Sequence, residues 1–154
     1  AEVLLNYAEA MYELGTTGKA LDDALNISLN LVRLRVNPDM PKLTTSFVSE
    51  NSLDMREEIR RERTIELYNE GFRVDDLKRW NTAIVEMPKP ILGVKWTGTD
   101  FATSWAGAST MAKDSEGCWI LEGGRRGGSK NDLYPLPVDQ CQLNPNLGQN
   151  PGWQ

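Results

Sequence analysis

Apolar positions recur at helical spacing through the first half of the chain and lose that rhythm in the second. Over residues 3–14, Glu2, Asn6, Glu9 and Glu13 share one polar face. Leu4, Ala8 and Met11 form one apolar stripe, and Val3, Tyr7, Ala10 and Leu14 form another. A helix that is apolar on two sides packs between two neighbours. Gly15 follows as the residue that closes it, because a left-handed backbone suits glycine. The spacing predicts a second helix over residues 19–36, with Ala20, Ala24, Ile27, Leu31 and Leu34 on one face and Pro38 and Pro41 beyond its end. A third helix is expected over 53–70, with Ser52 as N-cap and Asp54 in its first turn, where negative charge suits the helix dipole. Gly71 separates it from a fourth over 72–85, whose apolar stripe is Leu77, Trp80 and Ile84.

The first two helices, joined by a turn containing Gly15 and Gly18, make an αα-hairpin. Ala8, Ala20, Leu4, Tyr7, Met11, Ala24 and Ile27 sit at offsets resembling a tetratricopeptide unit, although Ala24 stands where a large aromatic is usual. The pattern changes at Pro88. The stretch from there to Asp132 holds 8 of the 13 glycines and 3 of the 5 tryptophans, with strand-like pieces only at Val94–Trp96 and Cys118–Glu122. From Leu133 the chain is punctuated by proline, which fixes φ and restricts its neighbour, so an extended tail is expected. The expectation is a mostly α protein with tetratricopeptide-like helical hairpins, a loop-rich insert containing Gly and Trp, and an extended C-terminal tail. The helical layer covers 1–86, the irregular region 87–132 and the tail 133–154, all within one domain.

Composition narrows the function. At 154 residues the chain can bury a real core, and its net charge of −5 argues against binding a phosphate backbone. No apolar run reaches the length that spans a bilayer. Ala1-Glu2-Val3-Leu4-Leu5 reads as helix interior with no cap before it. The expectation is part of a longer protein, whose leader this stretch does not report.

The absence of histidine removes Ser-His-Asp and Cys-His triads and zinc sites with a His ligand. Cys118 and Cys141 form no CxxC, and sequence alone leaves a bridge between them open. Glu62, Glu66 and Glu70 share a helical face, which suggests either a metal or acid–base site or an ion-pair lattice held by Arg60, Arg61, Arg63 and Arg73. A carboxylate-bridged metal helix normally adds Glu-x-x-His, so the lattice is favoured and neither metal, cofactor nor catalytic residue is expected. A glycoside hydrolase would have to use these same carboxylates. Gly123-Gly124-Arg125-Arg126-Gly127-Gly128-Ser129-Lys130 lacks the Gly-Lys-Ser order of a phosphate loop and reads as a surface loop. Asp75 and Asp76 suit a helix N-terminus, and the sequon Asn26-Ile27-Ser28 falls mid-helix. The remaining chemistry is aromatic. Trp96, Trp105 and Trp119 offer flat faces on which sugar C–H patches stack, unless each plugs its own loop into the helical layer. Trp119 heads an apolar run and is the core candidate, which leaves Trp96 and Trp105 as ligand-binding candidates.

Three blocks together resemble the C-terminal part of the SusD/RagB family of outer-membrane nutrient-binding lipoproteins. The first is Ala1-Glu2-Val3-Leu4-Leu5-Asn6-Tyr7-Ala8-Glu9-Ala10. The second runs from Ile59-Arg60-Arg61-Glu62-Arg63 through Glu66-Leu67, Glu70-Gly71, Arg73 and Asp76-Leu77 to Arg79-Trp80. The third is Leu133-Tyr134-Pro135-Leu136-Pro137 with Asn144-Pro145-Asn146-Leu147 and Gln149-Asn150-Pro151-Gly152-Trp153. The resemblance implies a helical scaffold and non-enzymatic capture of oligosaccharide or polysaccharide at the bacterial surface, with uptake through a SusC-like TonB-dependent transporter. It also implies a lipid-anchored parent on the outer membrane, with an anchor that is neither Cys118 nor Cys141. The alternatives are a peptide-binding member and a helical-repeat interaction scaffold. The Arg60–Trp80 segment is expected to be scaffold, and no ligand contact carries over by motif.

Overall fold

A computed structural model describes residues 1–100, 102, 110–124 and 128–153. These fall into two compact units, Ala1–Arg73 and Val74–Gln154.

Unit 1 is a helical layer. Helix α1 (Glu2–Glu13) ends as its glycine predicts: Gly15 has φ +83°, its N–H donates to Tyr12 O (2.9 Å), and Thr16 N–H donates to Met11 O (3.2 Å). The single helix expected over 19–36 is two, α2 (Gly18–Asn26) and α3 (Leu29–Val36). The break sits at Ser28, whose buried hydroxyl donates to Ala24 O at 2.6 Å, a local bond that competes with helix continuation. The buried face nevertheless keeps one helical phase across the break, one stripe away from the expected one, and Ala20 is exposed. Leu21, Ala24, Leu25, Leu29 and Val32 are buried, whereas the expected Ile27 and Leu31 are 63% and 54% exposed.

A short helix missing from the sequence expectation, α4 (Thr45–Glu50), is capped by Thr44, whose Oγ1 accepts from Phe47 N–H at 3.1 Å. Helix α5 (Met55–Glu66) starts later than predicted. Its N-cap is Asp54, which accepts from Glu57 N–H at 2.9 Å, while Ser52 takes a left-handed φ of +54°. The core of this unit joins Leu5, Ala8, Leu21, Leu25, Leu29, Val32, Leu43, Val48, Met55, Ile59 and Leu67, each large side chain contributing roughly 1.5–3 kcal/mol on burial. Buried Asn30 of α3 donates to Leu43 O (2.9 Å) and accepts from Leu43 N–H (2.8 Å), so Leu43, in the irregular segment between α3 and α4, enters the core with its backbone satisfied.

In unit 2 the helix expected over 72–85 is also divided, into α6 (Arg73–Arg79), which begins at the unit boundary, and α7 (Ala83–Glu86), with Asn81 at φ +57° between them. Strands β1 (Ile91–Lys95) and β2 (Cys118–Glu122) pair antiparallel, Lys95 opposite Cys118 and Ile91 opposite Glu122. A 3₁₀ turn covers Ser129–Asp132. The tail is extended through Leu133–Pro137 and then forms one helical turn and a half, α8 (Val138–Leu143). It folds back on itself. Gln149 accepts from Leu136 N–H (2.7 Å) and donates to Leu136 O (2.8 Å), and Asn150 Nδ2 donates to Tyr134 O (2.6 Å).

Candidate functional site

The carboxylate face of α5 is an ion-pair lattice, but its arginines come mainly from another helix. Glu62 lies 3.5 Å from Arg33 and Glu66 lies 2.7 Å from Arg35, both on α3. Arg33 is 4% exposed at its side chain and sits over the Phe47 ring. Burial holds the Glu62 carboxyl above its ordinary range, against the pull of Arg33 and Arg61. Arg63 donates to Asn6 of α1 at 2.7 Å and stacks on Phe72, and Arg73 donates to Thr64 Oγ1 at 2.8 Å. Glu70 lies beyond the end of α5 and is exposed. Glu62, Glu66 and Arg63 join α5 to its neighbours α3 and α1. In unit 2, buried Asp76 accepts from Arg79 Nε at 2.8 Å. The two cysteines are free thiols.

Trp96 follows β1 and stacks on Trp119 of β2, with ring centroids 4.6 Å apart and planes inclined at 21°. Trp96 is only 7% exposed, and Trp119, the expected core residue, is half-buried. Trp96 N–H and Thr97 N–H both donate to Gly117 O, at 2.8 and 3.2 Å, which closes the hairpin beneath the stacked pair. Trp105 lies outside the described residues.

A concave site of a different make-up lies elsewhere in unit 2. A cleft of about 260 Å³ is bounded by Lys78 of α6, by Ala83, Ile84 and Met87 of α7 and its end, by Asn131 and Asp132 of the 3₁₀ turn, and by Leu133, Tyr134 and Trp153 of the tail. The lining is mostly apolar, with Lys78, Asn131 and Asp132 as its polar side chains. Trp153 is locked in place because its indole N–H donates to Lys130 O (2.7 Å) and Leu133 O (3.0 Å), leaving the ring itself to line the cleft. The Tyr134 ring is 74% exposed, with Lys78 Nζ 4.0 Å from its centroid. Asn131 is oriented by accepting from Gly128 N–H at 3.1 Å. A second cleft, of about 240 Å³ in unit 1, has Tyr12, Leu21, Val48 and Met55 among its walls and no charged side chain. It offers less to orient a polar ligand.

Sequence reasoning did not single out Tyr134, Trp153, Lys78 or Asp132 as site residues. Tyr134 and Trp153 stood in plain view within the tail pattern. What was missing was that Asn150 and the Trp153 indole carry the tail back to its own beginning.

A sequence profile of the SusD family matches residues 1–153. Among solved structures, a SusD-like carbohydrate-binding protein from Bacteroides fragilis aligns with 96% of this chain and 27% of its own length, at 28% identity and a TM-score of 0.65. A SusD-like protein from the same species aligns with 98% of this chain and 24% of its own length, at 27% identity and a TM-score of 0.61. The chain therefore spans about a quarter of the length of these proteins. No curated protein matches it. The arginine- and glutamate-rich α5, the helical layer around it and the folded-back tail all lie inside the matched region, and the chain belongs to the SusD family.

Proposed function

We propose that this chain takes part in capturing an oligosaccharide or polysaccharide without altering it chemically. The observation that carries the reading is the alignment of nearly the whole chain with a SusD-like carbohydrate-binding protein. The cleft of unit 2 supports it, since a flat aromatic ring beside Lys78, Asn131 and Asp132 offers stacking to the C–H face of a sugar and hydrogen bonds to its hydroxyls. The segments around Trp96 and Trp105 are the second proposed source of ligand contacts. Trp96 serves there chiefly by fixing the segment through its stack on Trp119, and Trp105 by direct stacking. In the cell we place the parent protein on the outer surface of the outer membrane, lipid-anchored and partnered with a SusC-like TonB-dependent transporter that takes up the captured glycan.

Calorimetric titration against a panel of polysaccharides, oligosaccharides and peptides tests the reading. Saturable binding of a glycan is the expected result. Binding of peptides with no glycan bound would transfer the protein to peptide capture. Release of new reducing ends from a bound glycan, abolished in a folded Glu62→Gln variant, would overturn non-enzymatic capture.

A further inference from the structure

The cleft of unit 2 is small and unevenly furnished. At about 260 Å³ it falls just under the size range of pockets for drug-sized ligands, so it suits a single sugar ring and not a run of several. An unsubstituted hexose carries a hydroxyl on almost every ring carbon. Placed here, several of those hydroxyls would lie against a lining that is mostly apolar, with Val74, Ile84 and Met87 in it. The polar groups present are of a particular kind. Asp132 can accept from an N–H, Lys78 can donate to a carbonyl oxygen, and both line the same cleft as Ile84 and Met87. An acetamido group has this combination within a few atoms: a donor N–H, an acceptor carbonyl and a terminal methyl. Tyr134 is exposed, and the ring bearing that group would stack on it.

From the apolar lining, the presence of Lys78 and Asp132 in it and the exposed Tyr134, we infer that the unit 2 cleft selects an N-acetylated hexosamine residue of a glycan. The methyl is held against Ile84 and Met87, the amide lies between Asp132 and Lys78, and the sugar ring stacks on Tyr134. The inference rests on the proposal that the chain binds carbohydrate.

The test titrates the full chain with N-acetylglucosamine, glucose and L-fucose by NMR, following both saturation transfer to ligand protons and backbone amide shifts. The expected result is an affinity for N-acetylglucosamine at least about tenfold above that for glucose. The strongest saturation should fall on the acetamido methyl, with shifts at Asp132, Leu133 and Tyr134. Tyr134→Ala should weaken binding by about tenfold, since its ring is exposed and does not support the core. Ile84→Asn should bring the two affinities together, and thermal melts identify any variant that has lost its fold. Equal affinity for glucose and N-acetylglucosamine in the unaltered chain, or a preference for L-fucose, overturns the acetamido assignment. Undiminished binding by folded Tyr134→Ala overturns the cleft as the site but leaves carbohydrate capture standing. Failure of every glycan in the wider panel, with peptides bound, removes the underlying reading itself.

Discussion

Asn30 and Gln149 each hold both the N–H and the C=O of a residue 13 positions away, Leu43 and Leu136 respectively, as a neighbouring strand would. Asn30→Ala leaves both polar groups of fully buried Leu43 without partners. We expect a loss of about 2–4 kcal/mol in denaturant unfolding, against about 1–2 kcal/mol for Gln149→Ala, where half-burial lets water substitute. Glu62 gives a prediction of different sign. Its carboxyl titrates above the ordinary 4.5 in the folded protein because burial disfavours its charge. The folded state therefore binds the proton more tightly than the unfolded state. The stabilisation this gives is complete below about pH 4.5 and disappears as pH rises through the folded-state titration. Subtracting the stability–pH curve of Glu62→Gln from that of the unaltered chain should show this fall. Arg33→Met removes the foremost charge that draws the carboxyl down, and should shift the fall to higher pH.

At the scale of elements, what the sequence made legible were the ones closed by glycine or by an apolar run, and what it hid were breaks inside a continuous helical pattern, at Ser28 and at Asn81. Gly15 ends α1 as expected, and β2 occupies the residues its apolar run predicted. The break between α2 and α3 sits at one serine hydroxyl, and the choice of the neighbouring stripe, from Ala20 to Leu34, put Ile27 and Leu31 on the buried face. The site was less legible than the scaffold. The tryptophans pointed to unit 2, but the cleft gathers residues from α6, α7, the 3₁₀ turn and both ends of the tail, and no local spacing encodes such a meeting. The hairpin offers its own test. Gly117 has φ +83°, and a Cβ there would collide with Thr97 Cβ and Oγ1. Gly117→Ala should cost roughly 2 kcal/mol or more, from the left-handed backbone and the clash together. It should also disturb the near-ultraviolet circular dichroism of the Trp96–Trp119 pair, while the helical far-ultraviolet signal persists.

For the molecule as a whole, the distribution of chromophores separates the two units. All five tryptophans lie in Val74–Gln154, whereas helices α1 to α5 lie in Ala1–Arg73. Tryptophan emission thus follows unit 2, and ellipticity at 222 nm follows mostly unit 1. We expect two non-coincident transitions in a urea titration read by both signals. A single shared midpoint would mean the units unfold as one. The folded-back tail also sets an order of events. Proteins are made at roughly 5–20 residues per second, so Trp153 emerges several seconds after Ile84 and Met87. During that interval the apolar wall of the cleft is uncovered on a nascent chain, so a holdase should contact α7 during synthesis and lose that contact once Trp153 docks on Lys130 and Leu133.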